Sequence, residues 1–166
     1  MNAVPTRPAS VRLAHEAEVL GSDQARIRLH IDADRTEGSV STVEVELARG
    51  ADGALPHYHT RSDELFYIAE GELRLLAGDR ILTVATGGSV VVPRYMHHAF
   101  GATPDSGARV LIALMPGVER FEYFRLLDRL GRGEADPAEL DAAQDTFDNH
   151  FVDAPRWWAD RGAHRS

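Results

Sequence analysis

The chain lacks two residue types that carry much of protein chemistry. Cysteine is absent from its 166 residues, which excludes disulfides, thiolate nucleophiles and cysteine-ligated zinc or iron–sulfur centres. Lysine is absent as well, so all 18 basic residues are arginine and no lysine Schiff base can form. The chemistry left open must use histidine, carboxylates, tyrosine, serine or a bound metal.

Three further absences concern location and partners. No run of about 18 apolar residues occurs, so we expect no membrane partner. The N-terminus lacks the apolar segment of a signal peptide, and we therefore expect a cytoplasmic protein. The net charge is −8 and no basic stripe is present, which argues against nucleic acid as a partner. A small-molecule substrate remains.

Short alternating segments separated by turns dominate the first two thirds of the chain. Residues 25–31 and 41–47 alternate between apolar and polar side chains. Further strands are predicted at residues 64–69, 72–77, 80–84, 89–92, 97–101 and 109–115. A turn at Glu70-Gly71 is predicted to separate two of them. Strands at spacings of about 8–12 residues are typical of an all-β sandwich or barrel.

The pattern changes after residue 116. Residues 118–130 carry an apolar stripe that predicts an amphipathic helix, formed by Phe121, Phe124, Leu127 and Leu130. Asp136 before Pro137 predicts the start of a second helix that runs to residue 147. The remainder, which contains Trp157-Trp158, is predicted to end in a polar tail.

We therefore divide the chain into three parts. Residues 1–24 are predicted to form an N-terminal arm with one edge strand, residues 25–116 a β-barrel, and residues 117–166 a helical extension packed on the barrel. The fold class expected is all-β with a short C-terminal α-helical extension.

Four side chains of the predicted barrel have the chemistry of a metal site. His57 and His59 lie two residues apart, so on a strand they share one face. Glu64 lies on the next strand and His98 on a later one. Three imidazoles and one carboxylate suit Fe(II), Mn(II), Ni(II), Co(II) or Zn(II), and affinity alone does not choose among these metals. Such a shell leaves one or two coordination positions open.

The same residues fit the first sequence signature of the cupin superfamily, G-x5-H-x-H-x(3,4)-E-x6-G. His57, His59, Glu64 and Gly71 occupy its last four fixed positions. The chain departs from the signature at Ala51, where the first glycine is expected.

The second signature, G-x5-P-x-G-x2-H-x3-N, fits at Gly87, Pro93 and His98. Tyr95 stands where glycine is expected, and Ala102 stands where asparagine is expected. All four ligand positions are intact, and the chain resembles a small bacterial single-domain cupin over roughly residues 41–116.

Spacing also chooses between neighbouring candidates for two of the ligands. The signature selects His98 over His97, and strand alternation turns His97 outward. The six-residue gap to Gly71 selects Glu64 over Asp63.

The C-terminal segment has a looser resemblance to small cupins grouped with quercetin dioxygenases and polyketide-pathway proteins. It shares with them a Pro-Gly after the barrel, a Phe-rich helix and an Asp-Pro helix start, at residues 116–117, 121–124 and 136–137. This resemblance implies a jelly-roll barrel, or double-stranded β-helix, with one divalent metal ion per chain. Fe(II) is the first candidate, and a homodimer is expected.

The resemblance leaves three functions open. The first is a dioxygenase acting on a small aromatic or enolisable, flavonol- or polyketide-like molecule, with Glu64 as a catalytic proton acceptor. The second is a non-redox cyclase or isomerase that uses the metal as a Lewis acid. The third is a metal- or ligand-binding cupin without turnover. The apolar side chains expected to contact the substrate are Phe66, Ile68, Met96 and Phe100.

Overall fold

The computed structural model describes residues 7–163, and within this range ten β-strands precede or accompany four α-helices. The strands are β1 (Glu18–Gly21), β2 (Ala25–Ile31), β3 (Ser41–Leu47), β4 (His57–Tyr58), β5 (Asp63–Ala77), β6 (Arg80–Ala85), β7 (Ser89–Val92), β8 (His98–Ala102), β9 (Ala108–Met115) and β10 (His150–Phe151). The helices are α1 (Phe121–Gly131), α2 (Pro137–Ala142), α3 (Gln144–Phe147) and α4 (Pro155–Ala163). The predicted arm and extension each reach beyond the described residues.

Every strand pairing in this range is antiparallel, and the order is β1-β2-β3-β9-β5-β8-β4-β10, with β6 and β7 also paired to β5. The predicted all-β class with a short helical C-terminal extension is confirmed. Among the described residues, no helix has the length and apolar character needed to cross a membrane.

The predicted turn at Glu70-Gly71 is wrong, because β5 runs through it as one strand of 15 residues. The first half of β5 pairs with β7 and β9, and the second half pairs with β6 and β8. The strand bends where it changes partners, and Gly71 lies at the bend with φ +73°. A Cβ atom there would lie 1.9 Å from the carbonyl oxygen of Gly107, so only glycine fits.

Apolar side chains from most of the strands form one core cluster in the barrel interior. Phe66 and Ile68 from the first half of β5 and Leu73 and Leu75 from its second half have 0% exposed surface. Burying a side chain of this size stabilises the fold by about 1.5–3 kcal/mol. The central strand β5 therefore carries a large share of the core.

The first helix begins later than predicted and buries a different face. The Asp32 carboxylate accepts hydrogen bonds from the backbone N–H groups of Arg120 (2.9 Å) and Phe121 (3.0 Å), which fixes the start of α1. The buried residues of α1 are Tyr123 and Leu126 rather than the predicted stripe. Of that stripe, Phe121 and Phe124 are partly buried against the core.

The second predicted helix, residues 137–147, is two helices that meet at Ala143. Its predicted start is correct: the Asp136 side chain accepts a hydrogen bond from the Ala138 N–H at 2.9 Å and forms a capping box with Glu139. α3 ends at Asp148, whose φ of +52° stops the helix.

The C-terminal extension includes a further helix, α4, that docks on the barrel. Trp157 is 1% exposed and packs against Leu76 and Ala99, whereas its neighbour Trp158 is exposed. The Arg161 guanidinium donates to the carbonyl oxygens of Ala102 (2.7 Å) and Gly50 (2.8 Å). One tryptophan and one arginine thus attach this helix to the strands.

Gly71→Ala should lower the free energy of unfolding by about 2–4 kcal/mol, because it combines a left-handed backbone with a backbone clash. Gly87→Ala is the matched control: Gly87 has φ +84° but no atom within 4 Å of an added Cβ, so only about 1–2 kcal/mol should be lost. Urea denaturation of the two variants measures both values. Equal losses would mean that the contact with Gly107 does not constrain residue 71.

Candidate metal centre

The structure brings the four predicted ligands together at one end of the barrel interior. His57 lies on β4 opposite His98 of β8, Glu64 lies near the start of β5, and His59 lies in the loop between β4 and β5. All four are buried, with exposed fractions of 3%, 1%, 5% and 2% in that order. One ligand atom from each lies within 4.8 Å of the others.

The distances inside this cluster are short. The Oε2 atom of Glu64 lies 2.7 Å from Nε2 of His98 and 3.2 Å from Nε2 of His59. The ring centroid of His57 lies 4.2 Å from that of His98 and 4.8 Å from that of His59. The four side chains therefore surround a space of the size that a single metal ion occupies.

Backbone carbonyl groups hold all three imidazole rings by their Nδ1 atoms. Nδ1 of His57 lies 2.7 Å from the oxygen of Leu55, Nδ1 of His98 lies 2.9 Å from that of Met96, and Nδ1 of His59 contacts that of Asp148. A carbonyl oxygen only accepts hydrogen bonds, so each Nδ1 must carry the proton. In the neutral ring, Nε2 then presents its lone pair to the cluster, as metal-ligating histidines do.

This arrangement needs a cation. The lone pairs of His59 and His98 face a carboxylate oxygen at hydrogen-bond distance, and no proton lies between them while the rings are neutral. A divalent metal ion removes the repulsion, and protonation of the rings is the other way to remove it. The donor set therefore fits a metal ion, and these four residues could hold one.

The pKa shifts of His57 and Glu64 favour a neutral ring and an ionised carboxylate, the forms in which these two side chains ligate metal. Burial and the neighbouring His98 and His59 hold the pKa of His57 well below its usual range, which keeps that ring neutral. Burial alone would raise the pKa of Glu64, but charges and hydrogen bonds from His59 and His98 outweigh it and hold that pKa well below the usual value.

The two competing candidates lie outside the cluster. His97 is exposed, and its ring stacks on Tyr58 with the centroids 5.6 Å apart. The Asp63 carboxylate accepts hydrogen bonds from the Arg94 backbone (3.0 Å) and side chain (3.1 Å). The structure therefore groups His98 and Glu64, the residues that the spacing selected.

Asp148 supports the cluster from the C-terminal extension, and sequence reasoning missed it. Besides its carbonyl contact with His59, its carboxylate accepts hydrogen bonds from the backbone N–H groups of Thr60 (2.7 Å) and Arg61 (2.9 Å). Burial raises the pKa of Asp148, but these hydrogen bonds outweigh it and lower that pKa. No local pattern marks the residue, because its partners lie almost ninety positions earlier.

Tyr95, which replaces a signature glycine, also contacts the ligand loop. Its backbone has φ +67°, a conformation that suits glycine and strains other residues. Its N–H donates to the carbonyl oxygen of His59 at 2.7 Å. The positive φ at this position explains why the signature has glycine there. In this chain Tyr95 adopts that φ with backbone strain, next to the cluster.

A cavity of about 190 Å³ adjoins the cluster at His57 and Glu64. Its wall is mainly apolar and comes from β2, β3 and β9, together with aromatic side chains of α1 and β10. Polar side chains at the wall include Arg120 and Asn149, which sequence reasoning also missed. Both lie in the C-terminal extension, so no motif connects them to the barrel.

The predicted substrate contacts are only partly placed at this cavity. Phe100 lines it. Phe66 and Ile68 do not: they have no exposed surface, because they pack into the core cluster on the filled side of the barrel. Met96 is absent from the wall and packs at the edge of the same core. The cavity lies instead beneath α1, whose Phe121, Tyr123 and Phe124 supply the aromatic surface.

Comparison with known proteins agrees with this geometry. A family model described as a cupin domain matches residues 43–114, which include all four candidate ligands. Comparison with curated sequences gave no significant match. The fold and the site thus define a jelly-roll protein with a metal-type cluster in its barrel. Residues 43–114 thus match the cupin-domain family, and the fold of the described residues is shared with cupins of known structure.

Solved structures share the fold at low sequence identity. The polyketide cyclase RemF from Streptomyces resistomycificus is 21% identical, with a TM-score of 0.54 over 66% of this chain and 80% of that one. An RmlC-like cupin from Shewanella frigidimarina is 16% identical, with a TM-score of 0.56 over 72% and 99%. Hydroxypropylphosphonic acid epoxidase from S. wedmorenis is 22% identical, with a TM-score of 0.54 over 64% and 59%.

Tyr95→Gly should raise the free energy of unfolding by about 1 kcal/mol, because glycine adopts positive φ without strain. Tyr95→Ala is the matched control, since it removes the same exposed side chain but keeps the strained backbone. Thermal and urea denaturation measure the difference. If the two variants were equally stable, the backbone at residue 95 would carry no strain.

The metal-free protein should lose stability as the pH falls below about 6.5. The folded-state pKa of His57 lies well below 6.5, the value of the ordinary side chain, so the unfolded chain takes up the proton first. Stability is then present above pH 6.5 and falls by up to about 1.4 kcal/mol per pH unit below it. Urea denaturation of chelator-treated protein at several pH values measures this slope.

His57→Gln should flatten that slope, whereas His15→Gln, at an exposed histidine, should leave it unchanged. Glu64 acts in the same direction, but its contribution is present above its ordinary value of 4.5 and is lost only below that pH. The two pH windows are therefore separable. An unchanged slope in His57→Gln would contradict the neutral, buried state of this ring.

Proposed function

We infer that the protein is a metal-dependent enzyme, and specifically a dioxygenase that acts on a small aromatic or enolisable molecule. The observation that carries this proposal is the buried set of three imidazoles and one carboxylate bordering an apolar cavity. His57, His59, Glu64 and His98 would hold the metal ion. The donor set suits Fe(II) first, and Mn, Ni, Co or Zn also fit it.

A divalent metal at this position would supply Lewis-acid polarisation and, if it is redox-active, one-electron chemistry with dioxygen. The protein itself would supply fixed imidazole orientations and a group that accepts a proton. The backbone carbonyl contacts at Nδ1 fix the ring orientations in advance. Glu64 lies in the cluster and at the cavity wall, which supports a role for its carboxylate as the acceptor of a proton from a bound substrate.

The cavity supports a small, largely apolar substrate. Its volume of about 190 Å³ admits a molecule of one or two rings, and aromatic side chains of α1 form one side. Sugars would need a more polar wall. The cavity lies beneath α1, and exclusion of bulk water there would suit chemistry on an enolate.

A non-redox cyclase or isomerase is the second candidate, and the shared fold with the polyketide cyclase RemF supports it. The same four residues and the same cavity would serve, with the metal acting only as a Lewis acid. A third candidate is a cupin that binds a metal or small ligand without turnover. Dioxygen consumption separates the first candidate from the other two.

His59→Ala should lower metal affinity by more than about 100-fold and abolish dioxygen uptake, because it removes one ligand from the shell. His97→Ala is the matched control, since this exposed histidine lies outside the cluster. The protein is purified anaerobically and its metal content is measured. Dioxygen uptake is then followed with Fe(II), Mn(II) or Ni(II) against flavonols, catechols and β-diketones.

The outcomes separate the three candidates. Metal-dependent uptake that survives His97→Ala and is lost in His59→Ala supports the dioxygenase. Metal-dependent rearrangement without uptake supports the cyclase or isomerase, and tight binding without turnover supports the third candidate. A folded protein that retains no metal under any of these conditions would overturn the metal site and both enzyme candidates, and would leave only a cupin that binds a small ligand. A homodimer and a cytoplasmic location stay predictions.

A further inference from the structure

Arg120 is a buried cation without an ionic partner. The residue is 6% exposed, and no carboxylate in the described part of the chain forms an ion pair with its guanidinium. One nitrogen, Nη2, donates to Oδ1 of Asn149 at 2.9 Å. The Nε–H group is buried and has no hydrogen-bond partner. Buried charges in proteins are normally paired, so this one calls for an anion.

Asn149 presents a second unsatisfied donor beside the first. The residue is 2% exposed, and its Nδ2 atom also lacks a hydrogen-bond partner. A guanidinium only donates, so the amide oxygen must face Arg120 and the amide nitrogen must face away from it. The orientation of the amide is therefore fixed, and its N–H groups are left to serve another acceptor.

Arg120 and Asn149 both line the cavity that adjoins the cluster of three histidines and Glu64. The aromatic rings of Tyr123 and Phe124 lie beneath the guanidinium, with centroids 4.8 Å and 5.6 Å from its carbon atom. These contacts hold the cation in place but do not neutralise it. Burial raises the pKa of Tyr123, whereas the charge of Arg120 and a hydrogen bond with its side chain lower it and the charge of Glu64 raises it. The Tyr123 hydroxyl is therefore a neutral neighbour of Arg120 and does not supply a counter-charge.

The two carboxylates at the cavity wall, Asp32 and Glu64, already have hydrogen-bond partners other than the Arg120 side chain. Asp32 accepts hydrogen bonds from the backbone N–H groups of Arg120, Phe121 and Ala33 at 2.9–3.0 Å. Glu64 contacts the imidazoles of His59 and His98. Among the described residues, neither carboxylate forms an ion pair with the guanidinium, so the position of a counter-ion is left to a ligand.

We propose that Arg120 and Asn149 form an anion-binding site in the cavity, and that the substrate is a small organic anion with a carboxylate or enolate oxygen and an apolar body. The charged oxygen accepts hydrogen bonds from Arg120 and Asn149, while the apolar body contacts Phe121 and Phe124. This deepens the proposed function, on which it rests, by adding a negative charge to the substrate class.

The experiment measures binding of benzoate by calorimetry, with benzamide as its neutral counterpart. The full chain is used, and the wild-type, Arg120, Asn149 and Arg125 proteins are compared at equal metal content. Benzoate should bind the wild-type protein, and Arg120→Met should weaken this binding by about 10–100-fold, because charge-assisted hydrogen bonds are lost. Benzamide should be affected far less. Arg125→Met, at a partly exposed arginine on the same helix, is the matched control and should bind benzoate normally.

A second variant tests the missing counter-ion directly. Asn149→Asp places a carboxylate next to Arg120 in a side chain of nearly the same shape. It should weaken benzoate binding as strongly as Arg120→Met does, while thermal stability is kept or raised, because the buried cation gains a partner. Arg120→Met should also fold, since it removes an unpaired buried charge. A purely structural role for Arg120 would instead lower the stability of both variants.

The outcomes distinguish this proposal from the proposed function. Benzoate binding that is equal in wild type and Arg120→Met but lost in His59→Ala would place the anion on the metal and overturn the anion site. The metal centre would then stand. Arg120-dependent binding without metal or turnover would support the anion site and overturn the enzyme. Absence of benzoate binding at millimolar concentration would also overturn the anion site.

Discussion

The structure depends on one electrostatic constraint: a carboxylate and three imidazoles are buried at a single point inside the barrel. Backbone carbonyl groups fix the proton of each ring on its outer nitrogen, so the inner lone pairs converge. Much of the surrounding backbone serves this arrangement. The short strand β4, the loop to β5 and the strained Tyr95 all hold ring positions rather than fill the core.

The cavity has two regions of opposite electrostatic character, and in both of them buried polar groups lack a partner. The cluster of three histidines and Glu64 brings together lone pairs and a negative charge. The Arg120–Asn149 pair brings together hydrogen-bond donors that have no acceptor. Burying either set of polar groups without a partner costs folding free energy. Both regions border the same mainly apolar cavity, and a low local dielectric strengthens any interaction that completes either of them.

Sequence spacing could predict the ligand set because His57, His59 and Glu64 lie within eight positions and His98 has its own signature. The strand bounds followed from alternation for the same local reason. The bend at Gly71 was misread because glycine marks a left-handed residue but does not say whether the chain reverses there. Arg120, Asp148 and Asn149 could not be predicted, since their roles depend on long-range contacts that leave no local pattern.

The contact between Asp148 and the ligand loop means that the barrel is not an independent module. Residues beyond the last barrel strand position His59, so the order of the C-terminal segment and the occupancy of the cluster are thermodynamically linked. Such linkage is reciprocal: whatever tightens one tightens the other by the same free energy. A barrel transplanted or redesigned without its own C-terminal segment would keep its strands and lose the alignment of its ligands.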